Sequence, residues 1–372
     1  MSRAEREARY RERRRGLWRL YRAGQKITLG RPAWCGRFTP RDWVNGGSKT
    51  PEVWLSEGGR ARYRRLAYCE SVWSCPMCAE RITSGRAREV QRVVDAQRRA
   101  GGDVALITYT VRHARGDDLR KIVRKLRLAL RRMKSRRDYR LFREVAGYEG
   151  SIRAIEVTYS DAHGWHAHIH EIWLIRPGLI VDVDRAGREG YALWARAAAS
   201  AGLETDRRGY DLQAGARVVG EYLTSGATWG LGAELARLPA KRGDLGPAGD
   251  AGRPYRGATP MEILARAVAG EARAVALWLE YTRAMHGQRQ LWWSHGLAAR
   301  FAEQDTLLDP PADPGERCVL ALDGPEWRAV IQCHAEAALL EAAELGGVVA
   351  AEALLAEVVA WVRARAPPPA LN

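Results

Sequence analysis

The segment Gly164-Trp165-His166-Ala167-His168-Ile169-His170 constrains this chain more than any other stretch. In an extended chain, side chains of like parity share a face, so His166, His168 and His170 point one way and Trp165, Ala167 and Ile169 the other. Three imidazoles on one strand face predict a metal site. Residues 152–159 form a second extended run, and Ser160, Asp161, His163 and Gly164 between the two supply turn chemistry, so the pair predicts a hairpin. Centring its turn near Ala162 sets Glu156 opposite His168 on the same face, as an oxygen ligand. Two imidazoles and a carboxylate leave coordination positions open, which a catalytic ion needs and a structural one does not.

The flanking chain reads as an α+β layer built around that hairpin. Residues 104–112 are β-branched and aromatic enough for a first strand. Asp117 and Asp118 stand where an N-cap and first turn belong, and Leu119, Ile122, Val123, Leu126 and Leu130 follow at helical spacing. A helix over 183–201, a short strand near 210–213 and a helix around 218–223 complete an order typical of an antiparallel sheet with helices packed on it. A helix is also expected over 82–99, another over 261–285 and a strand at 290–294. Composition divides the chain into a basic N-terminal arm (1–30), a cysteine-bearing module (31–100), the histidine-bearing domain (101–238), a Gly/Pro-rich linker with a helical accessory region (239–305) and a helical tail (306–372) suited to packing or self-association.

A net charge of +16 predicts a polyanionic partner. No uninterrupted apolar run approaches the roughly 20 residues that span a bilayer, and the N-terminus lacks the apolar core of a secretory signal. The expectation is a cytoplasmic protein without a membrane partner. Arg112 and the basic helix face carrying Arg120, Arg124, Lys125, Arg127 and Arg131 are candidate phosphate contacts, which give affinity without sequence preference.

Cys69-x5-Cys75-Pro76-Met77-Cys78 brings three thiols close together, and Cys35, followed by Gly36, offers a fourth. In a reducing compartment such a group predicts structural zinc rather than disulfides. Cys318 and Cys333 lack partner spacing and are expected to pack as small apolar residues.

Taken in order, the strand Ala154-Ile155-Glu156-Val157-Thr158-Tyr159 and the histidine segment resemble the metal motif of HUH endonucleases, specifically of plasmid rolling-circle replication initiators. Thr108-Tyr109-Thr110-Val111-Arg112-His113 resembles their first motif and Glu221-Tyr222-Leu223-Thr224 their tyrosine motif. Trp229-Gly230-Leu231-Gly232-Ala233-Glu234-Leu235 and Trp293-Ser294-His295-Gly296-Leu297 match later segments, and the cysteine cluster resembles an upstream zinc motif. The resemblance implies that Mg²⁺ or Mn²⁺ on His168, His170 and Glu156 polarises a scissile phosphate at the plasmid origin, in single-stranded or hairpin-extruded DNA. Tyr222 then attacks, leaving a 5′-phosphotyrosine and a free 3′-hydroxyl primer. His166 is either a further ligand or a group that orients the others. Val218 stands where related initiators often carry a carboxylate, and Ser225 where many carry a lysine, so the resemblance speaks more for initiation than for termination. Without a Gly-x4-Gly-Lys-Ser/Thr loop, a host helicase and a host DNA polymerase are the implied partners. A relaxase or single-strand transposase of the same chemistry, and a zinc-stabilised DNA-binding regulator that does not cleave, are the alternatives.

Overall fold

The computed structural model describes residues 2–37, 50–214, 257–297 and 314–365. Its elements in chain order are α1 (Arg3–Gly24), β1 (Glu52–Leu55), β2 (Ala61–Arg64), α2 (Pro76–Arg99), β3 (Asp103–Thr110), α3 (Leu119–Ser135), α4 (Arg137–Val145), β4 (Tyr148–Ser160) and β5 (Gly164–Ile175). There follow α5 (Val183–Ser200), β6 (Tyr210–Ala214), α6 (Pro260–Val268), α7 (Ala272–Met285), β7 (Leu291–Trp293), β8 (Arg317–Ala321), α8 (Gly324–Gln332) and α9 (Glu336–Arg365). They form two compact units, one of residues 79–305 and one of residues 1–78 with 306–372. The α+β class with antiparallel pairing holds in both.

In the unit of residues 79–305, five strands pair antiparallel in the order β6-β3-β5-β4-β7. The predicted hairpin is β4–β5, with Glu156 opposite His168. Its turn depends on Gly164, which has φ +77° and whose added Cβ would lie 2.8 Å from the Arg115 backbone, so only glycine closes it. Alternation then separates the sheet's two faces. Ile152, Ala154, Ile172 and Leu174 lie under Ala87, Val90, Val93 and Val94 of α2, on the parity that also carries the histidines. On the other parity Trp165 stacks on Tyr281 of α7, and Tyr109 packs against Trp194 of α5. Helix α2 begins at Pro76, ahead of the expected start at 82, because proline suits the first helical position.

Glu171 lies on this second face, fully buried, in ion contact with Lys134 of α3, and it accepts hydrogen bonds from Ser151 Oγ (2.6 Å) and Tyr109 Oη (3.1 Å). Burial pushes its carboxyl up, but the Lys134 ammonium, the Ser151 hydroxyl and the charge of Arg153 overcome that and hold it below its ordinary value. Burial lowers Lys134 in turn, so the ammonium depends on its one counter-charge. Glu171→Gln is therefore expected to cost about 3–5 kcal/mol, as for removal of one partner of a buried pair. Glu171→Gln with Lys134→Met should recover most of it, and denaturant melts of the two variants decide the point.

Several segments sit differently from their composition. Residues 261–285 are two helices, not one: the chain breaks at Gly270 (φ +94°), and a capping box from Thr259 to Glu262 starts the first. The body of α2, grouped by sequence with the cysteines, packs on the sheet instead, because its apolar residues fall on one helical stripe. Strand β7, expected within an accessory region, is the fifth strand of the same sheet.

In the other unit β8 pairs with β1, and β1 with β2. The basic arm is no free tail. Its helix α1 buries Trp18 and Tyr21, and Arg14 and Arg22 pair with Glu344 and Glu336 of α9, which brings the C-terminal helix into the same core. By length and composition α9 is the one described helix that passes as a membrane span, although Glu341, Glu344, Glu352 and Glu357 interrupt its apolar run. Gly347 (φ +64°) breaks it, and Leu339, Leu340, Ala343, Ala351 and Leu355 are buried. Cys318 is exposed and Cys333 partly so, hence neither is the core residue that the sequence suggested.

Candidate metal centres

Strand parity places Glu156, His168 and His170 on one face, and backbone pairing fixes their spacing. Glu156 Oε2 lies 2.8 Å from His168 Nε2 and 3.1 Å from His170 Nε2, and one ligand atom from each lies within 4.8 Å of the others. Adjacent ligands of a small octahedral cation held at about 2.1 Å are separated by about 3 Å, so this donor set fits a hard divalent ion. The three side chains are only 12–14 % exposed. Thr108 is the cross-strand partner of His170 on β3, and its Oγ1 lies 3.0 Å from His170 Nδ1. A proton on Nδ1 donated to that oxygen leaves the Nε2 lone pair facing Glu156, the orientation a ligand needs.

His166 shares the face but not the cluster. Its Nδ1 lies 2.8 Å from His113 Nε2, and its ring sits 4.9 Å from that of His168. Burial first, then the neighbouring imidazoles of His168 and His113, lower its pKa to about 4, so it is neutral near pH 7. This geometry favours an orienting role over ligation. Sequence reasoning gave Thr108 and His113 no role of their own. The parity that paired Glu156 with His168 would have found Thr108 once β3 was laid beside β5.

The four cysteines also converge. Cys35, Cys69, Cys75 and Cys78 are all buried, with Cys78 Sγ 3.5 Å from Cys35 Sγ and 3.6 Å from Cys69 Sγ. Four sulfurs at about 2.3 Å from a tetrahedral ion would stand about 3.8 Å apart, so the group fits such an ion. Backbone N–H groups of Cys69 and Ser71 donate to Cys35 Sγ and Cys69 Sγ, both at 3.4 Å. Hydrogen bonds from the other three thiols draw Cys35 far below the ordinary thiol range, whereas burial drives Cys75 far above it. Four thiolates this close together require a bound cation. Gly36 (φ +61°) follows Cys35 because an added Cβ would meet Tyr21 Oη at 2.7 Å.

Of the candidate phosphate contacts, Arg120, Arg124 and Arg131 are exposed on α3. Arg112 pairs with Asp206 at 3.4 Å, Lys125 Nζ donates to the Gly202 carbonyl at 3.0 Å, and Arg127 donates to Gln288. Through Lys134, α3 packs on the sheet face opposite the histidines. Tyr222, Val218, Ser225 and the Trp229–Leu235 motif lie outside the described residues.

Residues 60–197 match the family model described as replication protein. That stretch is similar to the Rep family of replication proteins. The matched stretch contains three of the four clustered cysteines and all of Glu156, His168 and His170. It is 29% identical over 348 residues to the "Protein rep" of Streptomyces lividans, covering 75% of each chain. A "Protein rep" of Lentilactobacillus hilgardii is 26% identical over 37% of this chain and 44% of its own. A "Neomycin resistance protein" of Streptomyces cyanogenus is 30% identical over 30% of this chain and 31% of its own. No solved structure matches.

Proposed function

We propose that this protein is a Rep-type initiator that starts replication of a plasmid by nicking one strand of its origin with the Tyr222 hydroxyl. The observation that carries the reading is the cluster of Glu156, His168 and His170, two imidazole nitrogens and one carboxylate on an incompletely covered strand face. A divalent ion held there, Mg²⁺ or Mn²⁺, supplies Lewis-acid polarisation of a phosphate oxygen. Glu156 contributes the negative charge of the site, Thr108 orients His170, and His113 orients His166 beside His168. The Tyr222 oxygen attacks phosphorus, the bond from phosphorus to the 3′-oxygen breaks, and that oxygen leaves with a proton as a 3′-hydroxyl. The strand's 5′ end stays on Tyr222 as a phosphotyrosine, so the bond energy is kept for rejoining. A host DNA polymerase extends the hydroxyl, with a host helicase opening the duplex. The cysteine cluster holds a structural Zn²⁺, since four soft thiolates leave no open position for substrate.

Incubating the protein with single-stranded origin DNA and Mn²⁺ should give a covalent adduct stable to denaturant, and Tyr222→Phe should abolish it. An adduct that survives Tyr222→Phe removes Tyr222 as nucleophile. Wild-type protein that binds the DNA and never forms an adduct is instead a non-cleaving regulator.

A further inference from the structure

On the sheet face away from the histidines, Lys134, Arg143, Tyr148, Arg153, Trp292 and Ser294 line a cavity of about 170 Å³. We propose that this cavity binds one nucleotide of single-stranded DNA, its phosphate on Arg153 and Arg143 and its base on Trp292. It is a second anchor for the strand that the metal centre engages. The proposal rests on the preceding reading only in taking single-stranded DNA as the ligand.

Charge is the first argument. Among the described residues the only carboxylate drawn into this cluster is Glu171, and that carboxylate is already committed to Lys134, Ser151 and Tyr109. Arg143 and Arg153 form no ion pair among the described residues, and Arg143 Nε is buried without a hydrogen-bond acceptor. Burial first, and then the neighbouring charges of Arg153 and Arg131, lower the pKa of Arg127. Cations held together against their mutual repulsion form a site for an anion.

The aromatic groups specify which anion. Trp292 is half-buried, and two guanidinium groups lie near its ring, Arg127 at 5.3 Å and Arg153 at 5.6 Å from the ring centre. Arg143 lies over Tyr148 at 4.6 Å. A cationic groove with aromatic platforms suits single strands, whose phosphates meet the charges while each base offers a π-face. An acidic peptide would use the charges and leave the platform idle.

The cavity is also a built feature. Trp292 is the cross-strand partner of Arg153, so β7 presents the ring beside the guanidinium. The Trp293-Ser294-His295-Gly296-Leu297 segment fixes that edge. Ser151 N donates to Ser294 Oγ at 3.0 Å, Ser294 N donates to Ser151 O at 2.8 Å, and Leu297 is buried in the core. This gives a structural role to a motif that the metal and tyrosine chemistry leaves unused. Arg153 stands three positions from Glu156 on β4 and on the opposite face, and β7 is the sheet edge. A strand held at the metal centre would reach the cavity by passing around that edge.

The test is binding, measured with full-length protein and no divalent ion, so that cleavage plays no part. Fluorescence anisotropy of a labelled oligonucleotide should show Arg153→Ala weakening binding and lowering the salt slope by about 0.7, the value for one lost single-strand phosphate contact. Trp292→Ala should weaken binding by about ten-fold or more, with Trp292→Phe retaining most of it. Arg153→Lys should keep the slope, and thermal melts identify any variant that has not folded. Wild-type affinity and slope in both alanine variants would overturn the proposal. So would an acidic peptide, or inorganic phosphate alone, competing as well as a nucleotide. Because no adduct is formed, loss of the Tyr222 chemistry leaves this result readable.

Discussion

Cys75→Ser, or removal of the bound ion by a strong chelator, is expected to unfold the unit of residues 1–78 and 306–372. Its strands β2, β1 and β8 are only four or five residues long. Four buried sulfurs, with Cys78 Sγ 3.5 Å from Cys35 Sγ and 3.6 Å from Cys69 Sγ, replace apolar packing at its centre. Structural zinc contributes on the order of 10 kcal/mol to small metallo-domains, more than the whole stability of many domains. Without the ion, the thiols are too close to ionise together, and serine at the position of Cys75 would bury a hydroxyl without a metal bond. Metal analysis should find one zinc per chain. Limited proteolysis after chelation should release fragments from both ends of the chain while the β3–β5 core stays protected. A protein that carries no metal and melts identically with Cys75→Ser would show the cluster to be ordinary packing.

Glu156→Gln, His168→Ala and His170→Ala are each expected to lower nicking by roughly 10³-fold, since Lewis-acid stabilisation is worth several kcal/mol. Glutamine keeps the shape of Glu156 but removes the carboxylate charge of the cluster, leaving a hard cation two imidazoles and an amide. Anisotropy should find DNA affinity nearly unchanged, which separates this effect from damage to the cavity at Trp292. Thr108→Val should cost less, about 10–100-fold, because it acts through the orientation of His170. His166→Gln should be milder than His168→Ala, since His166 Nδ1 is already engaged by His113 at 2.8 Å. Nicking by Glu156→Gln within a few-fold of wild type would exclude Glu156 as a ligand.

Local periodicity made much of the site legible. Period two in Gly164–His170, together with a short turn, sets hairpin register, and one slipped residue would have turned Glu156 away from His168; the pairing is found as the spacing predicts. The cysteine cluster was equally readable, because Cys75 and Cys78 flank a helix start and Cys69 lies close before them. What periodicity cannot carry is pairing between distant segments. Nothing in residues 290–294 names β4 as their partner, and nothing in the Arg-rich start of the chain names Glu336 or Glu344.

The sequence by itself determined the strand bearing the histidines, the carboxylate across from it, the four thiols and a basic helix. These follow from side-chain parity, turn length and charge, which act over a few residues. Only the tertiary structure decided that Thr108 supports His170, that both chain ends build one unit, and that β7 completes the sheet and walls the cavity beside Arg153. The reason is physical: such contacts join residues far apart in the chain. Their partners are chosen when whole apolar faces are buried together, and no local pattern encodes that choice.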